Sequence, residues 1–410
     1  MSKIIYISRS GLPIDAPGIR TFHIGTILEK LGFDVHYLAD RKITKKELES
    51  DYEKLVASGD NVLEESEYHF RIDEKTYSYL PQQKKGKFFA LMEIVELVTA
   101  YKAFKRVRSY CEAEKPYAIF LYNESYPLTK KLISFCKKKN IKLFADVTEW
   151  YERDKNKNFA EKFVVESTEK RITKLDHTLD GIIAISNYFE DYYKSKGANV
   201  VRIPPLMEID KNLEITKHEY YDDKSVLNFV YAGSPGSKDI LIPFLKALQT
   251  VNKDGIKARL DVVGIDEKYF DRFEDVDKNL KETGVVAHGR LSHEDTVEIV
   301  RKADFGILFR HNKRYAKAGF STKLAECMSL GVPMICNKIG GCDLCIEHLK
   351  NGVLTETANE GELVTILKNL LEERSEEILE MKENAYEYAN KNFNSAEHID
   401  SVKSMMECVK

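Results

Sequence analysis

Short runs of β-branched and aromatic residues alternate along the chain with longer stretches whose apolar positions recur every three or four residues. A first series covers residues 3–8, 34–38, 118–122, 142–146, 181–186 and 200–203. A second covers 227–232, 259–263, 285–288, 304–309 and 333–336. Near-continuous apolar strands separated by helical periodicity predict parallel sheets with helices on both faces, since crossover helices leave neither face of such a sheet in water. Between the two series stand Pro204-Pro205 and a polar segment, 208–224. Proline fixes φ and pushes the preceding residue out of the helical region, which puts a domain boundary near residue 206. The pattern predicts an α/β chain of two parallel-sheet domains, 1–205 and 206–384, with a C-terminal helix, 385–410, of the kind that in two-lobed proteins can return to the first.

Between about residues 40 and 116 the first domain carries an insertion without clear strands. It ends in a helical run in which Phe88, Leu91, Val95, Val98 and Tyr101 keep helical spacing, while Lys84, Lys85, Lys87, Lys102, Lys105, Arg106 and Arg108 gather at the two ends. We read a core-facing helix with a solvated basic rim. The alternative is peripheral contact of residues 84–108 with an anionic membrane surface.

Composition narrows the class. Of 410 residues, 43% are hydrophobic and 31% charged, as in soluble globular proteins, so wholesale disorder is not expected. Lys+Arg 63 against Asp+Glu 66 leaves a net charge of -3, which gives no reason to expect nucleic acid as a partner. No apolar stretch reaches the length of a membrane span and the first residues lack a signal-type core, so a cytoplasmic protein is expected, with any membrane contact peripheral at the inner face. Seven scattered cysteines argue against a disulfide framework. Cys342-Asp343-Leu344-Cys345 has no second ligand pair at zinc spacing, and no metal site is expected.

The segment from Phe309 to Glu326 carries Arg310, Lys313, Arg314, Lys317 and Lys323 and no acid before Glu326. It joins a strand to a helix whose N-cap is Ser321 or Thr322. Free N–H groups at that helix start, Gly319 permitting close approach and Lys323 nearby make a place to hold a diphosphate.

From Gly319-Phe320 through Lys323-Leu324-Ala325-Glu326 to Gly331-Val332-Pro333-Met334-Ile335, the chain resembles the signature of family-4 glycosyltransferases, retaining enzymes of the GT-B fold. Gly233-Ser234 with Lys238, Asp261-Val262-Val263-Gly264, and His288-Gly289-Arg290 follow in the order that family requires. The resemblance implies two Rossmann-like domains facing each other across a cleft, with a nucleotide sugar held mainly by the second. It implies a hexosyltransferase-type glycosyltransferase (EC 2.4) without a cofactor or metal, acting on a glycan or lipid-linked acceptor, as in bacterial surface polysaccharide biosynthesis.

In that reading Glu326 accepts hydrogen bonds from the donor ribose hydroxyls, and Lys238 stabilises the departing diphosphate. Gly18, Gly233, Ser234, Gly264, Arg290, Arg310, Gly319, Ser321, Thr322 and Lys323 surround the donor, while Arg20, His23 and Glu149 serve the acceptor. The chain departs from the family in three places. No arginine precedes Lys238 in 233–237, so Arg310 or Lys323 is expected to supply the missing charge. The first acid of the family's E-x7-E pair is Ala318 here, and no histidine stands in 147–152, where related enzymes often place one near the acceptor. Two other readings stand beside transfer: a nucleotide-sugar 2-epimerase, and a non-catalytic sugar-nucleotide-binding partner subunit.

Overall fold

Every strand expected from the apolar runs is present, and the strands form two separate sheets. A computed structural model describes residues 1–8, 13, 15–43, 49–51, 53, 62–66, 69–72, 75–81, 95–96, 98–153, 158–215, 226–236, 238–372 and 375–408. The chain divides into one unit of Met1–Leu206 with Ser395–Lys410, and another of Met207–Asn394.

In the first unit β1 (Ser2–Ser8) pairs in parallel with β2 (Phe33–Ile43) on one side. On its other side lies β6 (Ala118–Tyr122), followed by β7 (Lys142–Val147), β8 (Gly181–Ala184) and β9 (Val200–Arg202), all parallel. Because side chains alternate across a sheet, β1 feeds two cores. Ile4 and Tyr6 pack with Ile24, Ile27 and Leu28 of the helix Ala16–Lys30 and with Val402 and Met405 of the helix Ile399–Glu407. Ile5 and Ile7 pack with Val107 of the helix Tyr101–Glu114 and Leu128 and Leu132 of the helix Tyr126–Lys139.

Three expectations need correction. The insertion does contain strands: β3 (Val62–Ser66), β4 (His69–Ile72) and β5 (Lys75–Pro81) extend the sheet, β5 pairing in parallel with β2 and stacking Tyr77 on Tyr37 at 4.5 Å. They are mostly polar and sit toward the sheet edge, where apolar runs are not required. The helical run is also not continuous, since Ala100 adopts a left-handed conformation (φ 47, ψ 37) that separates it from the helix Tyr101–Glu114. Val95, Val98 and Tyr101 are 50%, 45% and 60% exposed rather than core; Lys84, Lys85, Lys87, Phe88 and Leu91 lie outside the described residues. Finally, the helix Ser375–Asn392 stays with the second unit, where Ala385 and Ala389 join Phe393 in its core, so only the chain from Ser395 joins the first.

The second unit is a six-stranded parallel sheet in the order β12 (Val285–Gly289), β11 (Ala258–Val263), β10 (Leu227–Ala232), β13 (Phe305–Leu308), β14 (Met334–Asn337), β15 (Gly352–Thr355). The four-residue β15 was not expected from the sequence. Winding runs outward in one direction from β10 and in the other from β13, so the order reverses between them. Such a switch point leaves a crevice at the carboxyl ends of the strands, where open α/β sheets bind ligands.

A buried ion pair ties the first unit together. Arg20 donates from Nη2 to Asp146 Oδ1 at 2.8 Å and from Nη1 to the carbonyls of Ile203 and Pro204 at 3.1 and 3.2 Å. Tyr6 donates its hydroxyl to Asp146 at 2.8 Å. Removing one partner of a buried pair leaves the other uncompensated, at a cost of about 3–5 kcal/mol. Arg20→Met is therefore expected to lower the unfolding free energy of the first unit by about that amount in urea titrations.

Candidate donor site

Three glycines end three neighbouring strands of the second unit. Gly233, Gly264 and Gly289 all have positive φ, at 130, 99 and 69. Gly264 is also sterically required, since a Cβ there would come within 2.7 Å of the Gly233 carbonyl oxygen; one on Gly233 would come within 2.5 Å of Lys323 Cε, the movable end of a long side chain. The backbone after β10 thus passes directly under Lys323.

Asp239, next to Lys238, is the residue that organises this place. Its carboxylate side chain is only 2% exposed and accepts three hydrogen bonds. Arg310 Nε donates to Oδ1 at 2.8 Å, while Lys323 Nζ and the Tyr231 hydroxyl donate to Oδ2 at 2.9 and 2.8 Å. Burial alone would raise its pKa, but the Lys323 and Arg310 charges and hydrogen bonds outweigh burial and hold it below the usual carboxylate range. Asp239 is not among the residues that the sequence singles out. Its adjacency to Lys238 was the available signal, but its partners come from the ends of β10 and β13 and from the helix Thr322–Ser329.

The two cations keep donors to spare. Arg310 makes one further side-chain bond, from Nη2 to Ser321 Oγ at 3.4 Å, and its Nη1 has no partner among the described residues. Lys323 uses one of three N–H groups and lies 5.2 Å from the Tyr231 ring centroid. Lys238 follows the Gly233 turn, with its carbonyl accepting from the Tyr315 hydroxyl at 3.4 Å. Ser234 is exposed in the same turn.

Ser321 is the N-cap of the helix Thr322–Ser329, yet its side chain makes no capping bond, being engaged by Arg310. Thr322, half-buried, opens the helix. Gly319 has an ordinary negative φ (-79) and ends the short helix Arg314–Ala318, so its placement does not demand a glycine. Glu326 lies one turn beyond Lys323, exposed, and its carboxylate accepts no hydrogen bond from a described residue. Crowding by surrounding protein raises its carboxyl above the usual range, opposed by the positive charges of Lys323 and His293. His293 begins the helix His293–Lys302, so the Glu326 carboxylate lies within electrostatic reach of that helix start. Ala318 is fully buried, and Arg290 is exposed after β12.

The first-unit candidates are placed differently from expectation. Gly18 is in the first turn of the helix Ala16–Lys30, and its N–H donates to the Asp15 cap at 2.8 Å. Residues 9–12, between β1 and that helix, lie outside the described residues. Arg20 neither faces an open surface nor decorates its helix; it is 6% exposed and committed to Asp146 and the chain's exit. His23 is half-buried, and burial together with Lys75 lowers its pKa to about 4, leaving it neutral at pH 7. Glu149, half-buried just after β7, is hydrogen-bonded with Tyr151. The adjacent Trp150 donates Nε1 to Glu169 at 2.9 Å and stacks on Phe189.

Because the folded-state pKa of Asp239 is depressed, its stabilising effect is complete above the ordinary carboxylate pKa and is lost as pH falls through the folded value. Asp239→Asn is thus expected to be less stable than wild type at neutral pH by about 1–3 kcal/mol, the scale of a charge-assisted hydrogen bond lost at a buried group. The gap should narrow below about pH 4, as urea unfolding across a pH series would measure.

Residues 217–391 match the family described as glycosyl transferases group 1. No match was found among curated proteins. Among solved structures, sucrose-phosphate synthase from Thermosynechococcus elongatus aligns with TM-score 0.65 at 15% identity, over 99% of this chain and 98% of its own. HepE from Anabaena, in complex with UDP, aligns with TM-score 0.62 at 14% identity over 99% of both chains. WaaG, a glycosyltransferase involved in lipopolysaccharide biosynthesis, aligns with TM-score 0.63 at 12% identity over 97% of this chain and 99% of its own. The family match lies within the second unit, the chain has the GT-B fold of these structures, and together the findings support a glycosyltransferase.

Proposed function

We propose that this chain is a retaining family-4 enzyme that transfers a hexosyl group from a nucleoside diphosphate sugar to a glycan or lipid-linked acceptor. The observation that carries the reading is the convergence of Arg310 and Lys323 on Asp239, beside Lys238, at the switch point between β10 and β13. A diphosphate leaving group gains negative charge as the glycosidic bond breaks. Fixed cations with unfilled donors stabilise that charge most when they need no reorganisation.

In this reading the uncapped N–H groups at the start of the helix Thr322–Ser329 and the unfilled donors of Arg310 and Lys323 take the phosphoryl oxygens. Glu326, a turn further, accepts from the ribose hydroxyls, and the charges of Lys323 and His293 favour its ionised form. Arg310 and Lys323 fill the place of the arginine absent from 233–237. No protein nucleophile is assigned. The acceptor is assigned to the first unit near Glu149, with neutral His23 able to accept or donate one hydrogen bond; Arg20 is excluded because its guanidinium is consumed internally.

HepE has been crystallised with UDP and with UDP-glucose, which makes uridine nucleotides the first ligands to try. The buried alanine at 318, where the family has its first acid, favours a second reading, a binder of sugar nucleotides that does not turn them over. Release of nucleoside diphosphate only with acceptor distinguishes transfer, and an altered donor sugar would instead indicate epimerisation.

A thermal-shift screen over UDP-, GDP- and ADP-sugars should reveal one class that stabilises the protein by about 2.7 kcal/mol at 100 times its Kd. Silence across all three would reject the reading. For the active donor, Glu326→Ala is expected to lower kcat/KM about 10- to 150-fold, the loss of one or two charge-assisted hydrogen bonds. Unchanged donor affinity in both Arg310→Ala and Lys323→Ala would remove the diphosphate from this site.

A further inference from the structure

Asn337, the last residue of β14, is buried and aims its side chain at the main chain of Arg310. Its Oδ1 accepts from the Arg310 N–H and its Nδ2 donates to the Arg310 carbonyl, both at 2.9 Å. β13 and β14 pair in parallel from Gly306–Met334 to Leu308–Cys336, and there the ladder stops. The Asn337 amide continues it to residue 310, since a side-chain amide offers an acceptor and a donor as a peptide group does. The main chain of Asn337 meanwhile stays in register with Thr355 of β15.

The other side of Arg310 is held by the segment that follows the β10 turn. Asp239 and Arg310 form an isolated antiparallel bridge, and the Ile240 N–H donates to the Phe309 carbonyl at 2.8 Å. The main chain at Arg310 is thus fixed from two sides just past the end of β13, and from there Nε reaches Asp239.

The second unit uses the same device at the start of β11. Buried Asn252 donates Nδ2 to the Ala258 carbonyl at 2.7 Å and accepts the Ala258 N–H on Oδ1 at 3.1 Å. There the residue held is an alanine at the amino end of a strand, with no functional group to aim. At the carboxyl end of β13 the residue held is an arginine whose Nη1 has no partner among the described residues.

We infer that Asn337 is a positioning residue for the donor site: acting through the main chain of Arg310, it sets the guanidinium on Asp239 with its outer nitrogens directed to the diphosphate. The inference rests on the donor reading of this site. A cation stabilises developing charge most when it is already in place, and a misplacement of about 1 Å costs on the order of 100-fold. Leucine at 337 would leave a buried N–H and a buried carbonyl unpaired, and aspartate would set a carboxylate oxygen against the Arg310 carbonyl.

The test is calorimetric binding of UDP, GDP and ADP to the full chain. For the nucleotide that binds wild type, Asn337→Leu should weaken binding about 10-fold, and by no more than Arg310→Ala does. In the Arg310→Ala background it should add less than about twofold, because its effect passes through that side chain. Asn252→Leu, the structural control, should lower stability and leave affinity within about twofold. Asn337→Asp should bind weakly at neutral pH and recover as acid protonates the new carboxyl, which then donates to the Arg310 carbonyl. Its ratio to wild type at the same pH removes the titration of Asp239, Glu326 and the phosphates. Cooperative thermal unfolding shows that a variant is folded, and Asn337→Asp replaces Asn337→Leu in the Arg310→Ala comparison if the leucine variant does not fold. Wild-type affinity in a folded Asn337 variant, a loss larger than that of Arg310→Ala, additivity with Arg310→Ala, or an equal loss in Asn252→Leu would each overturn the inference while the donor reading stands. No binding of any of the three nucleotides by wild type would overturn both.

Discussion

A single buried carboxylate makes the basic site of the second unit possible. Arg310 and Lys323 come from chain segments that would repel one another if brought together in a half-buried place. Asp239 supplies the counter-charge between them and accepts from both, with Tyr231 as a third donor. The balance remains positive once Lys238 is included, which is the condition for receiving a dianionic group. Because Asp239 follows β10 and Arg310 follows β13, the ion pairs also span the place where the strand order reverses.

The first unit uses a similar device to a different end. Asp146 is as deeply buried as Asp239 and also holds an arginine and a tyrosine. The difference lies in the donors left over. Arg20 places Nε, Nη1 and Nη2 on the carboxylate and on two carbonyls, so its charge is spent on fastening a helix to the end of the sheet. Among the described residues Arg310 keeps Nη1, and Lys323 keeps two N–H groups. Counting filled donors separates a cation that holds the fold from one that can hold a ligand, which sequence position alone does not do.

Much of the architecture was legible because parallel strands buried on both faces must be written as continuous apolar runs. Strands 118–122 and 227–232 could be read residue for residue. The strands that escaped were short or polar: β3, β4 and β5 toward the edge of the first sheet and the four-residue β15 at the edge of the second. The break at Ala100 was invisible because alanine is the strongest helix former, and nothing local signals its left-handed conformation. Once the helix breaks there, the apolar stripe that helical spacing assigned to a core becomes exposed at Val95, Val98 and Tyr101.

The sequence by itself determined the two series of strands, the break at Pro204-Pro205, and a cation-rich turn leading into a helix at Ser321. Those are local properties, set by side-chain periodicity, backbone restriction and capping chemistry. Only the tertiary structure decided what each charge is for. Whether Arg20, Arg310 or Lys323 is free to meet a ligand depends on which carboxylate the fold brings to it, and the residues of each pair are far apart in the chain. A charge buried by folding must find its partner across the fold, and the pairing that results cannot be read along the chain.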